Sequence, residues 1–254
     1  LWPRLASAQD PAEAVLSHRI IPGWVQPDGT HMAERALALA PGWKTHWRQP
    51  GAAGLPPLIA RTAAANLSQF DVHWPTPDVF WQSGMRSVGY RDRLVLPFTA
   101  TPDQIGRDIR LRGRLQLGLC ADVCIPAQLD FDALLPADAQ ARPAAVIAAL
   151  ANQPYVQDEA GVRAVACTLR PAQDGMQISA EITMPSAGGA EEAVIEMAPH
   201  LWISDPKATR QGGRLALTAQ VMSVSGAPIV IDRSEIRITV IGQSYGVDIQ
   251  GCPG

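Results

Sequence analysis

No run of apolar residues in this 254-residue chain approaches the roughly 18 that a helix needs to cross a bilayer. A basic block is missing too. Lys and Arg number 21 against 24 Asp and Glu, for a formal net charge of −3 and a pI near 6.0, which excludes nucleic acid as an expected partner. Aromatic residues are scarce at 6% and charged ones modest at 18%, yet 47% of the chain is hydrophobic. That fraction can bury a real core and excludes a disordered chain. Pro and Gly, at 22 and 21 residues, are spread along the whole length, which suits many short strands joined by turns. Ala6-Ser7-Ala8 has the small-x-small form of a signal-peptidase site, but neither a charged segment nor a long apolar one precedes it. It reads as the remnant of a trimmed secretion signal, so export is expected.

Alternation of period two is the dominant pattern. Phe70, Val72 and Trp74 alternate with Asp71 and His73, and Arg93 to Phe98 reads as a further strand. The clearest case is 109–119, where Ile109, Leu111, Leu115, Leu117 and Leu119 share a face and Arg110, Arg112, Arg114 and Gln116 the other. Continuing that phase puts Cys120 opposite Leu119, at a strand end turning toward solvent. Ala127, Leu129 and Phe131 then resume the alternation. Residues 138–154, with Pro143 suited to a helix first turn and AAVIAALA after it, read as a short helical linker. Alternation returns at 176–184, 214–221 and 236–240. The expected architecture is all-β: a first domain over 12–137, the linker, and a second β-sandwich over 155–254, with no convincing sequence repeat between them.

Four cysteines fall at 120, 124, 167 and 252. Cys120 and Cys124 form a C-x3-C turn between two strands, whose closure removes little unfolded-state entropy. The spacing fits redox exchange, a structural clip, half of a metal site or two free thiols. A tetrahedral zinc site would need a further ligand pair at matching spacing, which is absent, so no metal is expected, although copper held by Cys with Met or His stays open. Cys167 and Cys252, at opposite ends of the second domain, are expected to form a structural disulfide, the alternative being a second redox pair. Gly242-Gln243-Ser244-Tyr245-Gly246 matches a nucleophile elbow but lacks a following helix, so it reads as a turn. Asn66-Leu67-Ser68 fits a glycosylation sequon, a pattern common by chance. The five histidines, at 18, 31, 46, 73 and 200, do not cluster.

Three ordered motifs supply a resemblance. Residues 41–57, PGWKTHWRQPGAAGLPP, resemble the GWxTYWxxPGxxGLP signature of amino-terminal domains in the DsbD/ScsB family of thiol–disulfide interchange proteins. Tyr90-Arg91-Asp92-Arg93-Leu94 with Leu96-Pro97-Phe98-Thr99 resembles that family's YRDRL-x-LPVT segment, and LCADVCIPA resembles the C-x-x-(I/V)-C-x-P form of its ScsB branch. The resemblance implies immunoglobulin-like sandwiches and a periplasmic protein-disulfide reductase without a bound cofactor. Cys120 and Cys124 would be its catalytic pair, passing electrons from a membrane-embedded reductase to periplasmic oxidoreductases. A thioredoxin-like domain of the same polypeptide would be the donor and a periplasmic thioredoxin-like oxidoreductase the acceptor. The chain would then be the soluble part of a membrane-anchored protein. Cys124, the carboxy-terminal cysteine, would meet the partner. An aromatic cap precedes YRDRL in DsbD; Phe80 or Trp81 would be the cap here, or else an ordinary core aromatic. His46 stands where the family more often has Tyr, and a packing role is expected. Asp122, between the cysteines, would disfavour a thiolate if close, or else merely face water. The alternatives are a copper-binding periplasmic module, since the ScsB branch is associated with copper tolerance, and a structural interaction domain.

Overall fold

A computed structural model describes residues 11–51, 54–82 and 84–253; Ala6-Ser7-Ala8 lies outside them. A short helix, α1 (Pro11–Ala14), leads into ten strands. These are β1 (Val15–Val25), β2 (His31–Leu39), β3 (Lys44–His46), β4 (Leu58–Ala65), β5 (Gln69–Val72), β6 (Asp78–Gln82), β7 (Met85–Arg91), β8 (Arg93–Thr101), β9 (Ile109–Cys120) and β10 (Cys124–Leu135). Helix α2 (Ala144–Ala151) follows. The remaining strands are β11 (Tyr155–Val156), β12 (Ala164–Ala172), β13 (Gly175–Thr183), β14 (Glu192–Glu196), β15 (Leu201–Ile203), β16 (Lys207–Gln211), β17 (Arg214–Ser223), β18 (Arg237–Ile241) and β19 (Gly246–Gln250).

Among the described residues, 11–50, 54–75 and 89–151 cluster as one compact unit, and 51, 76–82, 84–88 and 152–253 as a second. Helix α2 therefore belongs to the first unit, and residues 76–88 leave it for the second. Neither detail has a signature in hydrophobic periodicity, which reports the face a strand buries and not the body it joins.

In the first unit one sheet runs β1-β2-β8-β5 and the other β10-β9-β3, with β4 also paired to β9 and the end of β7 paired to β3; β6 and the start of β7 cluster with the second unit. The two apolar faces enclose Ala33, Phe98, Ala100, Ile109, Leu111 and Leu135, and Phe70 stacks on Phe98 with ring centroids 4.6 Å apart. Strand β9 follows its period-two pattern to Gln116: the leucines are buried, and the arginines turn outward to pair across the hairpin with β10. Arg110 and Arg112 both meet Asp132, at 2.8 and 2.9 Å, and Arg114 meets Asp130 at 2.9 Å. Asn66 holds a left-handed φ of 58°, which Asn tolerates well, and its side-chain amide donates to the carbonyls of Gln104 and Arg107, bracketing the 104–108 loop.

The second unit has a sheet of order β12-β13-β17-β15, with β16 also on β17, and another of order β11-β19-β18-β14. Its core includes Ile178, Ile182, Leu217, Ile238 and Val240. Arg86 is buried here, donating to Glu192, Asp205 and the carbonyl of Ala193, so the incoming segment 76–88 is bound by charge as well as by packing. Residues 242–246 form the turn between β18 and β19, closed by the Gly242 N–H on the Tyr245 carbonyl at 3.1 Å. No helix follows, so Ser244 is not a nucleophile elbow.

Candidate redox site

The β9–β10 hairpin sets the cysteines face to face. In its register Cys124 is the partner of Cys120, Ile125 of Leu119 and Pro126 of Gly118, leaving Ala121, Asp122 and Val123 as the loop. Directly opposed residues of an antiparallel pair bring their side chains together on one face. The Cα atoms are 4.1 Å apart and the two sulfurs are bonded to each other. The two ends differ in exposure: Cys124 is exposed, whereas Cys120 retains 5% of its surface.

Periodicity placed Cys120 opposite Leu119, and that phase holds. The accompanying expectation, that the strand end turns to solvent at Cys120, does not. From Leu117 to Cys120 both faces of β9 are buried, and His46 and Leu55 cover the outer face at Gly118. Strand β3 lies beside the end of β9, with Lys44 opposite Cys120 and Thr45 opposite Leu119. The Thr45 hydroxyl donates to the Gly118 carbonyl at 3.1 Å. Residues two apart on a strand share a face, so Lys44 and His46 lie on the same side as Cys120 and Gly118.

His46 is buried at 3% exposure, with Nε2 3.6 Å from the Cys120 sulfur. The backbone N–H of Leu55 donates to Nδ1 at 3.3 Å, so in the neutral ring the proton sits on Nε2, facing the sulfur. Burial is the main reason its pKa is held down to about 4, and the Lys44 charge adds to the effect. Two glycines make room for the ring. A Cβ on Gly118 would lie 2.8 Å from Nδ1, and one on Gly54 would lie 2.9 Å from Cδ2 and closer still to Pro50. His46, expected only to pack, is thus in contact with the disulfide. The sequence signal for it was the replacement of a Tyr within an otherwise well-kept motif.

The motif elements brace one another. Asp92, at φ 60° in the corner between β7 and β8, accepts the Gly42 N–H on its carboxylate at 2.7 Å and donates its own N–H to the Trp43 carbonyl. The Tyr90 hydroxyl donates to the Pro75 carbonyl at 2.9 Å. Trp47 is fully buried, with the Arg48 guanidinium 3.9 Å over its ring. The corner at 90–93 therefore anchors the start of the segment that presents His46 to Cys120.

Asp122 is exposed on the hairpin loop, near enough that its charge opposes the depression of the Lys44 pKa; burial is the main cause of that depression, aided by Arg91. Of the two aromatics offered as a cap, Trp81 is 62% exposed and Phe80 half-buried, both on β6 in the second unit. Beside the hairpin an open cavity of about 440 Å³ is lined by Leu55, Pro56, Leu58, Leu117, Pro126 and Ala127. Cys167 and Cys252 are also bonded, at 3% and 1% exposure within the core of the second unit.

His46, Cys120 and Cys124 place one ligand atom each within 4.8 Å of one another. With the sulfurs joined, neither is a thiolate, so this set fits a metal ion only after reduction.

Residues 8–136 match the family model described as thiol:disulfide interchange protein DsbD, N-terminal. Among solved structures the chain resembles the N-terminal periplasmic domain of ScsB from Proteus mirabilis. The TM-score is 0.74 at 23% identity, covering 97% of this chain and 96% of that one. The all-β, immunoglobulin-like fold expected from the sequence is the fold observed. No curated protein sequence matches.

Proposed function

Because the chain belongs to the DsbD amino-terminal family of thiol–disulfide interchange modules, we propose that it acts as a protein-disulfide reductase through Cys120 and Cys124. The observation that carries this reading is the unequal exposure of a bonded pair at a hairpin mouth. Cys124 can be reached by a partner, while Cys120 stays covered behind it. In the reduced module the Cys124 thiolate attacks one sulfur of a partner disulfide and displaces the other as a thiolate. The Cys120 thiolate then attacks the Cys124 sulfur and expels the remaining partner sulfur. Two electrons pass to the partner, and the Cys120–Cys124 bond is restored.

The family likeness supports a direction and a set of partners. Electrons arrive from a membrane-embedded reductase through a thioredoxin-like domain of the same full-length protein and leave to a periplasmic thioredoxin-like oxidoreductase. Periplasmic location is in keeping with the likeness to a periplasmic domain of ScsB. Cys167–Cys252 is assigned a structural role.

Trapping tests the reading. A Cys120→Ser variant expressed in the periplasm leaves Cys124 able to attack but removes the resolving thiol, so a mixed disulfide with a thioredoxin-like protein should accumulate. Mass spectrometry would name that protein. If the variant traps nothing and the wild-type chain reduces no thioredoxin-like protein, the reading fails. The three-donor set at His46, Cys120 and Cys124 favours one rival, a module for a soft cation such as Cu(I). Stoichiometric tight Cu(I) binding by the reduced protein, without exchange, would decide for it.

A further inference from the structure

We infer that His46 is a positioning residue for exchange: its Nε2–H is the hydrogen-bond donor that receives the Cys120 sulfur as a thiolate whenever the disulfide opens. The inference rests on the exchange reading above and goes beyond it, because it fixes which sulfur leaves and what stabilises it.

Two contacts define the arrangement. Nδ1 is already occupied as an acceptor by the Leu55 N–H, so the ring has one remaining polar atom, and that atom points at Cys120 from 3.6 Å. Gly54 and Gly118 press on the ring from positions where any side chain would collide with it. The donor is thus held in one orientation by backbone, which is the condition for a preorganised group that need not reorganise as charge develops. Burial and the neighbouring Lys44 keep the ring neutral near pH 7, so it offers a hydrogen bond and not a full charge.

The chemical step follows. An incoming thiolate attacks the exposed Cys124 sulfur, the Cys120–Cys124 bond breaks, and its electron pair leaves on Cys120. That sulfur, being buried, has little water to solvate its charge, and the Nε2–H supplies the missing donor. A second thiol of the reductant then displaces Cys124 as a thiolate. The reductant becomes a disulfide, and both cysteine sulfurs take up protons from solvent or remain thiolate. A better-stabilised leaving thiolate departs faster.

The test is the rate at which dithiothreitol reduces the Cys120–Cys124 bond. Variants are compared at equal pH, with thermal melting to establish that each is folded. His46→Leu removes the donor at similar bulk and should slow reduction roughly tenfold, the effect of one hydrogen bond to a charged group. His46→Gln keeps a side-chain N–H and should recover most of that loss. A His46→Leu rate within twofold of wild type, or His46→Gln as slow as His46→Leu, would show that the ring only fills space. A second measurement needs no variant. The mixed disulfide formed with glutathione in the wild-type protein, quenched in acid and mapped, should sit on Cys124, and an adduct on Cys120 overturns the assignment. Both readouts use small thiols, so they stand or fall separately from whether any protein partner is trapped.

Discussion

The two disulfides are built on opposite principles. Cys120–Cys124 spans four positions along one hairpin, with one sulfur buried beside a histidine and the other exposed. Cys167–Cys252 spans 85 positions and lies wholly in an apolar core. Its surroundings are committed to holding it still. The Cys167 N–H donates to the Pro253 carbonyl at 2.7 Å, the Cys252 N–H to the Arg233 carbonyl at 2.9 Å, and the Arg233 guanidinium to the Cys167 carbonyl at 2.8 Å. A short loop with one accessible sulfur is suited to opening and closing, and a long one without access is suited to constraining the chain. On the function proposed above, the same residue type serves chemistry in one place and stability in the other, according to span and exposure.

The largest expected effect separates them. In the chain-entropy picture, a loop of the length closed by Cys167–Cys252 restricts the unfolded chain by about 4–5 kcal/mol, and the short hairpin loop by only about 2 kcal/mol. Cys167→Ala with Cys252→Ala should therefore lower the stability of the second unit by several kcal/mol in denaturant unfolding and leave dithiothreitol reduction at Cys120–Cys124 unchanged. The pair Cys120→Ala with Cys124→Ala should cost much less stability and abolish exchange. Equal stability losses would remove the distinction.

A second contrast concerns acid. Four histidines with depressed pKa values, His18, His31, His46 and His73, all belong to the first unit. Burial is the main cause in each. For His46 the folded value of about 4 lies below the ordinary 6.5, so between these limits the unfolded chain binds more protons than the folded one. The stability associated with the neutral ring is complete above about pH 6.5 and falls away as the pH drops toward 4. For so buried a ring the loss is on the order of 3 kcal/mol by pH 4. Hydrogen exchange at pH 4.5 against pH 7 should show protection falling more in the first unit than in the second. A His46→Gln variant should lose less than wild type over that interval, and an equal loss would assign the sensitivity to the other three histidines.

How much of this was legible from sequence differs by type of information. Alternation alone located β9 and β10, the outward arginines and the turn that holds the cysteines, because a strand records its buried face every second residue. It could not show that His46 and Leu55 return to cover the outer face at Gly118, since they lie 72 and 63 positions earlier in the chain. His46 was invisible as a neighbour of Cys120 for the same reason: their separation along the chain is 74, and only the pairing of β3 with β9 closes it. The passage of residues 76–88 into the second unit is equally non-local, being fixed by Arg86 meeting Glu192 and Asp205 more than a hundred positions away.

The smallest expected effect lies at the rim of the hairpin. Val123 is 57% exposed between the two cysteines, and Leu55 and Leu58, at 44% and 57%, border the adjoining cavity. Val123 belongs to the loop next to Cys124, where a partner bringing a sulfur to Cys124 would meet it. Val123→Ser removes two methyl groups from such a contact, for which a loss of roughly 1 kcal/mol, or about fivefold in exchange rate with a protein partner, is expected. Melting temperature and the rate with dithiothreitol should not move, because a small thiol needs no docking surface. If the protein and small-thiol rates fell together, Val123 would be shaping the hairpin; if neither fell, the partner would approach Cys124 from another side.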